Sequence, residues 1–598
     1  MVGIKPKSVT KLSSKNGNTT RINIFLIAVF LIIILVVYRL FDLTFIRHST
    51  LTKLAQSQYT NPSALLLGRG NIYFSDLSSN TKKIAATNKK SYYLYLNKNL
   101  DLDIKTISTL ASILKEDASI LESQLSQIPP KEKTYFVIAR NLTKEQSDLI
   151  GKLKIDGLNI APEIDRFYPQ TTMAAHTLGF VGFNGEQRVG QYGVESFYDN
   201  ILSGTEKTQN FLSGGVYSSI LKFLGLENAE NKAETEKNLS GTTGSDIVLT
   251  IDPNIQSLVE SKLNALLKKW NAPSGSIIVQ EPNTGKILAM AASPSFDPNN
   301  YSAYRLEDFI NPNVQEIFEP GSSFKSITMA AAIDTGAVTP ETTYYDAGEV
   351  KIGGYSIKNF NEKANGTQTM RQVLQHSLNT GAIFAQERTG DDNFLNYVVN
   401  FGFGQKTGID LSGEVSGNIS NLYSGRKINF ATASFGQGIA VTPIQLINAY
   451  SAIANGGKLM RPYVVKEIIH PDGTHQRIEP QIIGSPITQK TSNQLKSMLV
   501  DVVEKGFDKA RIKGYDVAGK TGTAQIPDEK GGYLGDNQFI HNFVGFAPAY
   551  APRFTILIKM DKPKGIKFAA DSLSPVFGDI ARFLLRYFNI PPTRPENP

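Results

Sequence analysis

The chain has 598 residues, 41% of them hydrophobic and 19% charged, which excludes a disordered tail, a collagen-like fibre and a small disulfide scaffold. It contains no cysteine, so a thiolate metal site and a cysteine nucleophile are also excluded. The net charge is +8, and the first 21 residues carry Lys5, Lys7, Lys11, Lys15 and Arg21 with no acid; the rest is close to neutral, which is not the footprint of a nucleic-acid binder.

Residues 1–21 read as a basic tail. IFLIAVFLIIILVVY from Ile24 then carries no charge, and the window 22–41 extends the run to a length of about 20 residues, enough at about 1.5 Å each to cross a hydrocarbon core of about 30 Å. The alternatives are a buried core helix or a cleaved signal peptide, but the run is long for a signal-peptide core, and RLFDLTF after it offers no small-residue cleavage site. Basic residues ahead of the span predict a single-pass anchor with a cytoplasmic N-terminus and everything after it outside the cytoplasm.

Residues 42–245 mix strand-like pieces (SYYLYL from Ser91, TYFVIA from Thr134) with a long helical stretch from Thr106, TISTLASILKEDASILESQLSQI, predicting a mixed α/β domain. Residues 227–244 are polar and Gly/Ser/Thr-rich, an insertion or linker that sets a boundary near Ser245. A second domain is expected over 246–590. IVLTID opens it, and SIIVQE and KILAMA around Pro-Asn-Thr-Gly predict a hairpin. FVGFAP from Phe543 and FTILIKM from Phe554 read as further strands, and SPVFGDIARFLLRYF, with Pro in its first turn, as a closing helix. Strands thus bracket a helix-rich middle from about Asp308 to Asn455, giving a multidomain α+β chain that ends in a Pro-rich tail, 591–598.

Three short motifs carry the candidate chemistry. In FEPGSSFKSITMAAAIDTG, the helical spacing of Phe324, Ile327 and Ala331 places Ser322 and Lys325 three apart at a helix N-terminus, where an amine can reach a hydroxyl. A half-buried lysine loses its proton nearer neutral pH and can serve as a base. Ser377 and Asn379 are two apart, so they converge on one site only from a turn. In Lys520-Thr521-Gly522-Thr523, an extended backbone points both threonines to one face, where two hydroxyls and a lysine could hold a carboxylate, and Gly522 allows close backbone approach.

Each fragment alone has an ordinary reading as surface or turn, but the three in this order resemble the penicillin-binding protein and serine β-lactamase superfamily. GKILAMAASPSFDPN from Gly285, EPGSSFK, SFGQGIAVTPIQL from Ser434, AGKTGTAQ and FVGFAPA look like class B penicillin-binding proteins, and RGNIY from Arg69, HTLGFVG from His176 and GQYGVESFYDNILSG from Gly190 look like that class's pedestal region. The resemblance implies a pedestal, or dimerisation-like, domain followed by a transpeptidase domain with an antiparallel sheet flanked by helices and an all-helical subdomain. It further implies that Ser322 is acylated by the penultimate D-Ala of a peptidoglycan stem peptide while Lys325 takes its proton. Ser377 with Lys520 would pass a proton to the leaving amine, and Asn379 would bind substrate and position Lys325. Thr521, Gly522 and Thr523 would bind the terminal carboxylate, and the backbone N–H groups of Ser322 and Thr523 would form the oxyanion hole.

No metal or cofactor is implied; the six histidines show no paired ligand spacing. Implied partners are stem peptides, β-lactams, a membrane-embedded glycan polymerase of the shape/division family and other division or elongation proteins, at the bacterial inner membrane. Lys-Thr-Gly-Thr-Ala-Gln looks more division-type than elongation-type. One departure stands out: after Arg69-Gly70 the family usually runs to an Asp-Arg pair, whereas here Tyr73 is followed by Phe74-Ser75. A catalytically silent scaffold or a β-lactam sensor of the same fold is the alternative. A P-loop nucleotidase is a distant one, because Gly514 to Thr521 satisfies Gly-x4-Gly-Lys-Thr without the strand before it or the helix after it.

Overall fold

The computed structural model describes residues 68–96, 102–126, 136–184, 187–203 and 243–594, except 361, 507, 529–531 and 536–537, together with positions 27 and 30. Apart from positions 27 and 30 and residues 243–244, the expected membrane span 22–41 and the polar insertion 227–244 lie outside the described residues. Among the described residues no helix is long and apolar enough to cross a membrane. By compactness the described chain forms two units, residues 92–163 and residues 68–91 with 164–594. Residues 68–91 and 164–203, expected in the pedestal, therefore belong to the same compact unit as the C-terminal half.

Strand β1 (Ile72–Asp76) pairs antiparallel with the first half of β2 (Thr81–Leu96), whose last residues belong to the smaller unit. In that unit, helices α1 (Ile104–Leu114) and α2 (Ala118–Ser126) accompany β3 (Phe136–Leu142), which pairs with the end of β2. Leu94, Ile107, Leu110 and Leu121 form its small core. The single helix expected from Thr106 is two helices. Lys115 takes a left-handed conformation (φ 61°) that ends α1, and the Asp117 carboxylate accepts from the Ser119 N–H at 2.8 Å, a local bond that competes with helix continuation.

In the larger unit, β4 (Asp246–Leu249) runs parallel to β1. The RGNIY and GVESFYDN segments meet in a buried ionic cluster. Arg69 bonds Glu195 and, at 2.8 Å, Asp199; Arg166 donates from Nε to Glu195 at 2.7 Å; and the Tyr168 hydroxyl donates to Glu195 at 3.1 Å. Glu195 is wholly inaccessible, so two guanidinium groups and a phenol compensate its desolvation. Where the family pattern leads to an Asp-Arg pair, Phe74 is fully buried in the core and Ser75 donates to the Leu249 carbonyl at 2.5 Å.

Helix α3 (Pro253–Lys269) is capped by Asp252 and leads to the expected hairpin of β5 (Ser274–Gln280) and β6 (Ile287–Ser293). The helix-rich middle contains α4 (Lys325–Asp334), α5 (Met370–His376), α6 (Asn379–Thr389) and α7 (Pro443–Ala454); β7 (Val465–Ile469) then pairs with β4, and α8 (Gln489–Lys505) follows. Strands β8 (Ala518–Gln525), β9 (Phe539–Ala547) and β10 (Phe554–Asp561) complete a five-stranded antiparallel sheet in the order β8-β9-β10-β5-β6. The chain closes with α9 (Ala569–Ser572) and α10 (Ser574–Tyr587). Residues 593 and 594 of the expected tail are not loose, since both backbone N–H groups donate to the Gly514 carbonyl.

Both faces of this sheet are buried, which explains its nearly unbroken apolar runs. Ile277, Val279, Phe543, Ile556 and Ile558 belong to one core with Val259, Leu263, Ile580 and Leu584 of α3 and α10. The intervening Ile278, Val544 and Leu557 belong to the core shared with Ile327 of α4 and Ile447 of α7. Each such side chain contributes about 1.5–3 kcal/mol by leaving water. Strand β8, the sheet's edge, packs against the turn that carries Ser322.

Candidate active site

Pro320 leads into a tight 3₁₀ turn, Gly321–Phe324, that continues into α4. Ser323 is buried, its hydroxyl donating to the Pro320 carbonyl at 2.8 Å, and Phe324 is anchored in the core. The fully buried Tyr450 of α7 donates towards the Ser323 carbonyl at 2.7 Å and lies 2.8 Å from Ser326 Oγ. With its neighbours so held, Ser322 lines a cavity of about 730 Å³, together with Ser377, Asn379, Thr521 and Thr523.

Ser377 and Asn379 do sit in a turn. Ser377 closes α5 in a left-handed conformation (φ 57°), and Asn379 opens α6. The wholly buried Lys325 donates from Nζ to the Ser377 carbonyl at 2.5 Å, to Asn379 Oδ1 at 2.8 Å and to Ser377 Oγ at 3.3 Å. Lys520 approaches the same hydroxyl, Nζ to Ser377 Oγ at 3.1 Å. Two amines, one from α4 and one from β8, thus meet on one serine oxygen.

Burial, and secondarily the positive charge of Lys520, pushes the Lys325 amine well below the ordinary lysine range. Burial brings Lys520 down to about 7. Burial disfavours the charged form of both amines, so one of them can accept a proton near neutral pH. The arrangement can take a proton from a hydroxyl and pass one along Ser377 without a histidine.

Along β8 the alternation sends Thr521, Thr523 and Gln525 to the cavity. The Thr523 hydroxyl oxygen accepts from the Ala569 N–H of α9 at 3.2 Å, which leaves its own proton to point elsewhere. Gly522 lies on the other face and does not line the cavity. A Cβ there would stand 2.4 Å from both Asn542 Nδ2 and the Pro320 carbonyl oxygen. The close approach that this glycine permits is therefore to the Ser322 turn rather than to a ligand. Lys520 and Thr521 sit inside a strand with no helix following, which removes the P-loop reading.

Residues not singled out by the motifs also build the site. Asn359 Oδ1 accepts from the Asn379 N–H at 2.9 Å, and Lys358 contributes a carbonyl to Asn379 Nδ2 at 2.9 Å. Glu319, three residues before Ser322, accepts from the Gly438 N–H at 2.8 Å and from the Tyr533 hydroxyl at 3.2 Å, and burial lifts its carboxyl to about 7. Glu319 adjoins a motif, but Asn359 and Tyr450 have no sequence spacing to mark them. Among the described residues no group of three His, Asp or Glu side chains is placed to hold a metal ion.

A family model for the penicillin-binding protein transpeptidase domain matches residues 275–582, and one for the penicillin-binding protein dimerisation domain matches residues 67–213. Stage V sporulation protein D of Bacillus subtilis is 32% identical over 96% of this chain and 87% of its own length. The peptidoglycan D,D-transpeptidase FtsI of Escherichia coli is 31% identical over 81% of this chain and 77% of its own. The crystal structure of penicillin-binding protein 3 from Mycobacterium tuberculosis is similar at 29% identity and a TM-score of 0.62, covering 72% of this chain and 92% of that one. That protein has also been solved with ampicillin. Penicillin-binding protein 2X of Streptococcus thermophilus, at 24% identity, shares the fold with a TM-score of 0.68 over 87% of this chain and 80% of that one. With a transpeptidase domain matched over more than half its length and relatives above 30% identity across most of it, the chain belongs to the class B penicillin-binding proteins.

Proposed function

We propose that this protein is a peptidoglycan D,D-transpeptidase that works through an acyl-enzyme on Ser322. The observation that carries the reading is the convergence of two buried lysine amines on Ser377 Oγ in the cavity that Ser322 lines. Neutral Lys325 takes the Ser322 proton as Oγ attacks the penultimate D-Ala carbonyl of a stem peptide. Charge building on the carbonyl oxygen is met by the backbone N–H groups of Ser322 and Thr523. The C–N bond then breaks, and the departing D-Ala amine receives a proton by way of Ser377 and Lys520. Asn379 holds the substrate amide, while Thr521 and Thr523, with Lys520 behind them, hold the terminal carboxylate.

The amine of a second stem peptide attacks the ester, regenerates the Ser322 hydroxyl and leaves a cross-link. A β-lactam enters the same sequence, but its opened ring stays attached and leaves the ester in place. The basic residues 1–21 and the apolar run 22–41 support a single-pass anchor that keeps the catalytic domain outside the cytoplasm. The Lys-Thr-Gly-Thr-Ala-Gln sequence supports a septal role, in partnership with a membrane-embedded glycan polymerase. Intact mass spectrometry of the full-length protein with benzylpenicillin tests the chemistry. A one-to-one adduct mapped to Ser322, and lost in Ser322→Ala with an unchanged melting curve, is expected. An adduct that survives in Ser322→Ala would move the nucleophile elsewhere.

A further inference from the structure

Behind Asn379 lies a buried carboxylate that no motif includes. Asp346, on the strand Thr343–Asp346, is wholly inaccessible. Its two oxygens accept from Asn359 Nδ2 at 2.9 Å each, Asn365 Nδ2 at 2.5 Å, the Thr380 hydroxyl at 2.7 Å and the Gly348 N–H at 2.9 Å. A carboxylate is the side chain of this size that offers only acceptors, so four donor groups can converge on it without conflict.

The carboxylate, with the Lys363 carbonyl that accepts from the same Asn359 Nδ2 at 3.4 Å, also holds the way the Asn359 amide faces. With its nitrogen drawn to Asp346, its oxygen is left to accept from the N–H groups of Asn379 at 2.9 Å and Thr380 at 3.3 Å. These belong to the first turn of α6, where helical geometry leaves donors without partners, and the preceding residue, Leu378, has no side chain able to cap them. Asn379 Nδ2 is held by the Lys358 carbonyl next door, and Asn379 Oδ1 receives Lys325 Nζ at 2.8 Å. Backbone and side chain of Asn379 are thus both fixed from residues 358 and 359.

We propose that Asp346 is a positioning residue for acylation, acting through the Asn359 amide to hold Asn379 where its Oδ1 receives Lys325. The proposal rests on the reading of Ser322 and Lys325 above. Asp346→Asn keeps the volume but introduces an NH₂ among four donors. The Asn359 amide then gains by turning over, which points its own NH₂ at the α6 N–H groups and releases Asn379.

The test compares wild type, Asp346→Asn and the exchange variant Asp346→Asn/Asn359→Asp, in which a carboxylate at 359 caps α6 and accepts from the amide at 346. Acylation of the full-length protein by a fluorescent penicillin is followed against drug concentration, alongside thermal melting. Asp346→Asn is expected to lower the limiting acylation rate by about 10- to 100-fold, with the half-saturating concentration little changed, as for a misplaced catalytic group. The exchange variant is expected to return to within about threefold of wild type, a recovery that charge or volume at 346 alone does not predict. Wild-type acylation in Asp346→Asn overturns the proposal, and so does an exchange variant that melts like wild type yet stays slow. If Asp346→Asn fails to fold, the exchange variant decides alone; failure of both to fold would assign Asp346 to the fold and overturn the positioning role. A wild-type protein that forms no adduct would instead remove the acyl-enzyme reading.

Discussion

Substituting alanine for Gly522 tests the contact between the edge strand and the Ser322 turn. The new methyl carbon would stand 2.4 Å from Asn542 Nδ2 and 2.4 Å from the Pro320 carbonyl oxygen, where ordinary contact begins at 3.4 Å. Neither neighbour can step aside cheaply: Asn542 is fully buried and donates to that carbonyl at 2.9 Å, and the same oxygen accepts from Ser323 at 2.8 Å. Relief therefore requires the strand and the turn to separate by about 1 Å, and a shift of that size between Ser322 on one and the threonines on the other costs about 10²-fold in rate. Overpacking costs about 1–3 kcal/mol, offset by about 0.4–1 kcal/mol from the stiffer unfolded chain, so a net loss of up to about 2.6 kcal/mol is expected. Stopped-flow acylation by a fluorescent penicillin reads the first effect and chemical denaturation the second. Acylation at the wild-type rate, with undiminished stability, would refute the idea that this contact sets the spacing of the site.

Further outcomes follow from buried charge. Lys325 is faced by Ser377, Asn379 and Lys520, and its amine lies well below the ordinary lysine value of 10.5, so the acylation rate should climb with pH well before ordinary lysines titrate. Lys520→Met removes a positive charge that lowers the Lys325 amine. It should move the rising limb of the pH profile to higher pH and reduce the plateau; an unmoved limb would show that the two amines do not sense one another. Glu195→Ala takes the carboxylate from Arg166, which keeps the Gly70 carbonyl and Asn88 Oδ1, and leaves Asp199 as the carboxylate bonded to Arg69; it should cost about 3–5 kcal/mol in chemical denaturation, and a loss below about 1 kcal/mol would refute a stabilising role for the cluster. Burial pushes the Glu195 carboxyl up, but Arg166 and Arg69 outweigh it and hold it below the ordinary glutamate value. Its contribution should be full above the unfolded-state value of about 4.5 and fade as acid enters the depressed range.

Much of the site was legible in the chain because its parts are local. Ser322 and Lys325 lie one helical turn apart, and Thr521 and Thr523 alternate on one strand, so backbone geometry alone brings each pair to one face. The sheet was legible for a related reason: runs such as Ile277–Val279 and Ile556–Ile558 are apolar without interruption because both faces are covered. The split of the expected long helix at Lys115 was not, since it depends on a side-chain bond from Asp117 that competes with propensity on nearly equal terms.

What the chain by itself determined is thus the set of short-range pairs, the strands and helices that carry them and, through their order, the family. Tertiary structure alone decided how those pairs meet. Lys325 and Ser377 are 52 residues apart, and Lys520 and Ser377 are 143 apart. Only folding brings both amines to one oxygen and strips them of the water that would keep them charged. It also decided that Gly522 serves the Ser322 turn and not the ligand, and that Asp346 and Asn359 stand behind Asn379. Burial and the orientation of an amide depend on every element packed around a residue, and no local pattern records them.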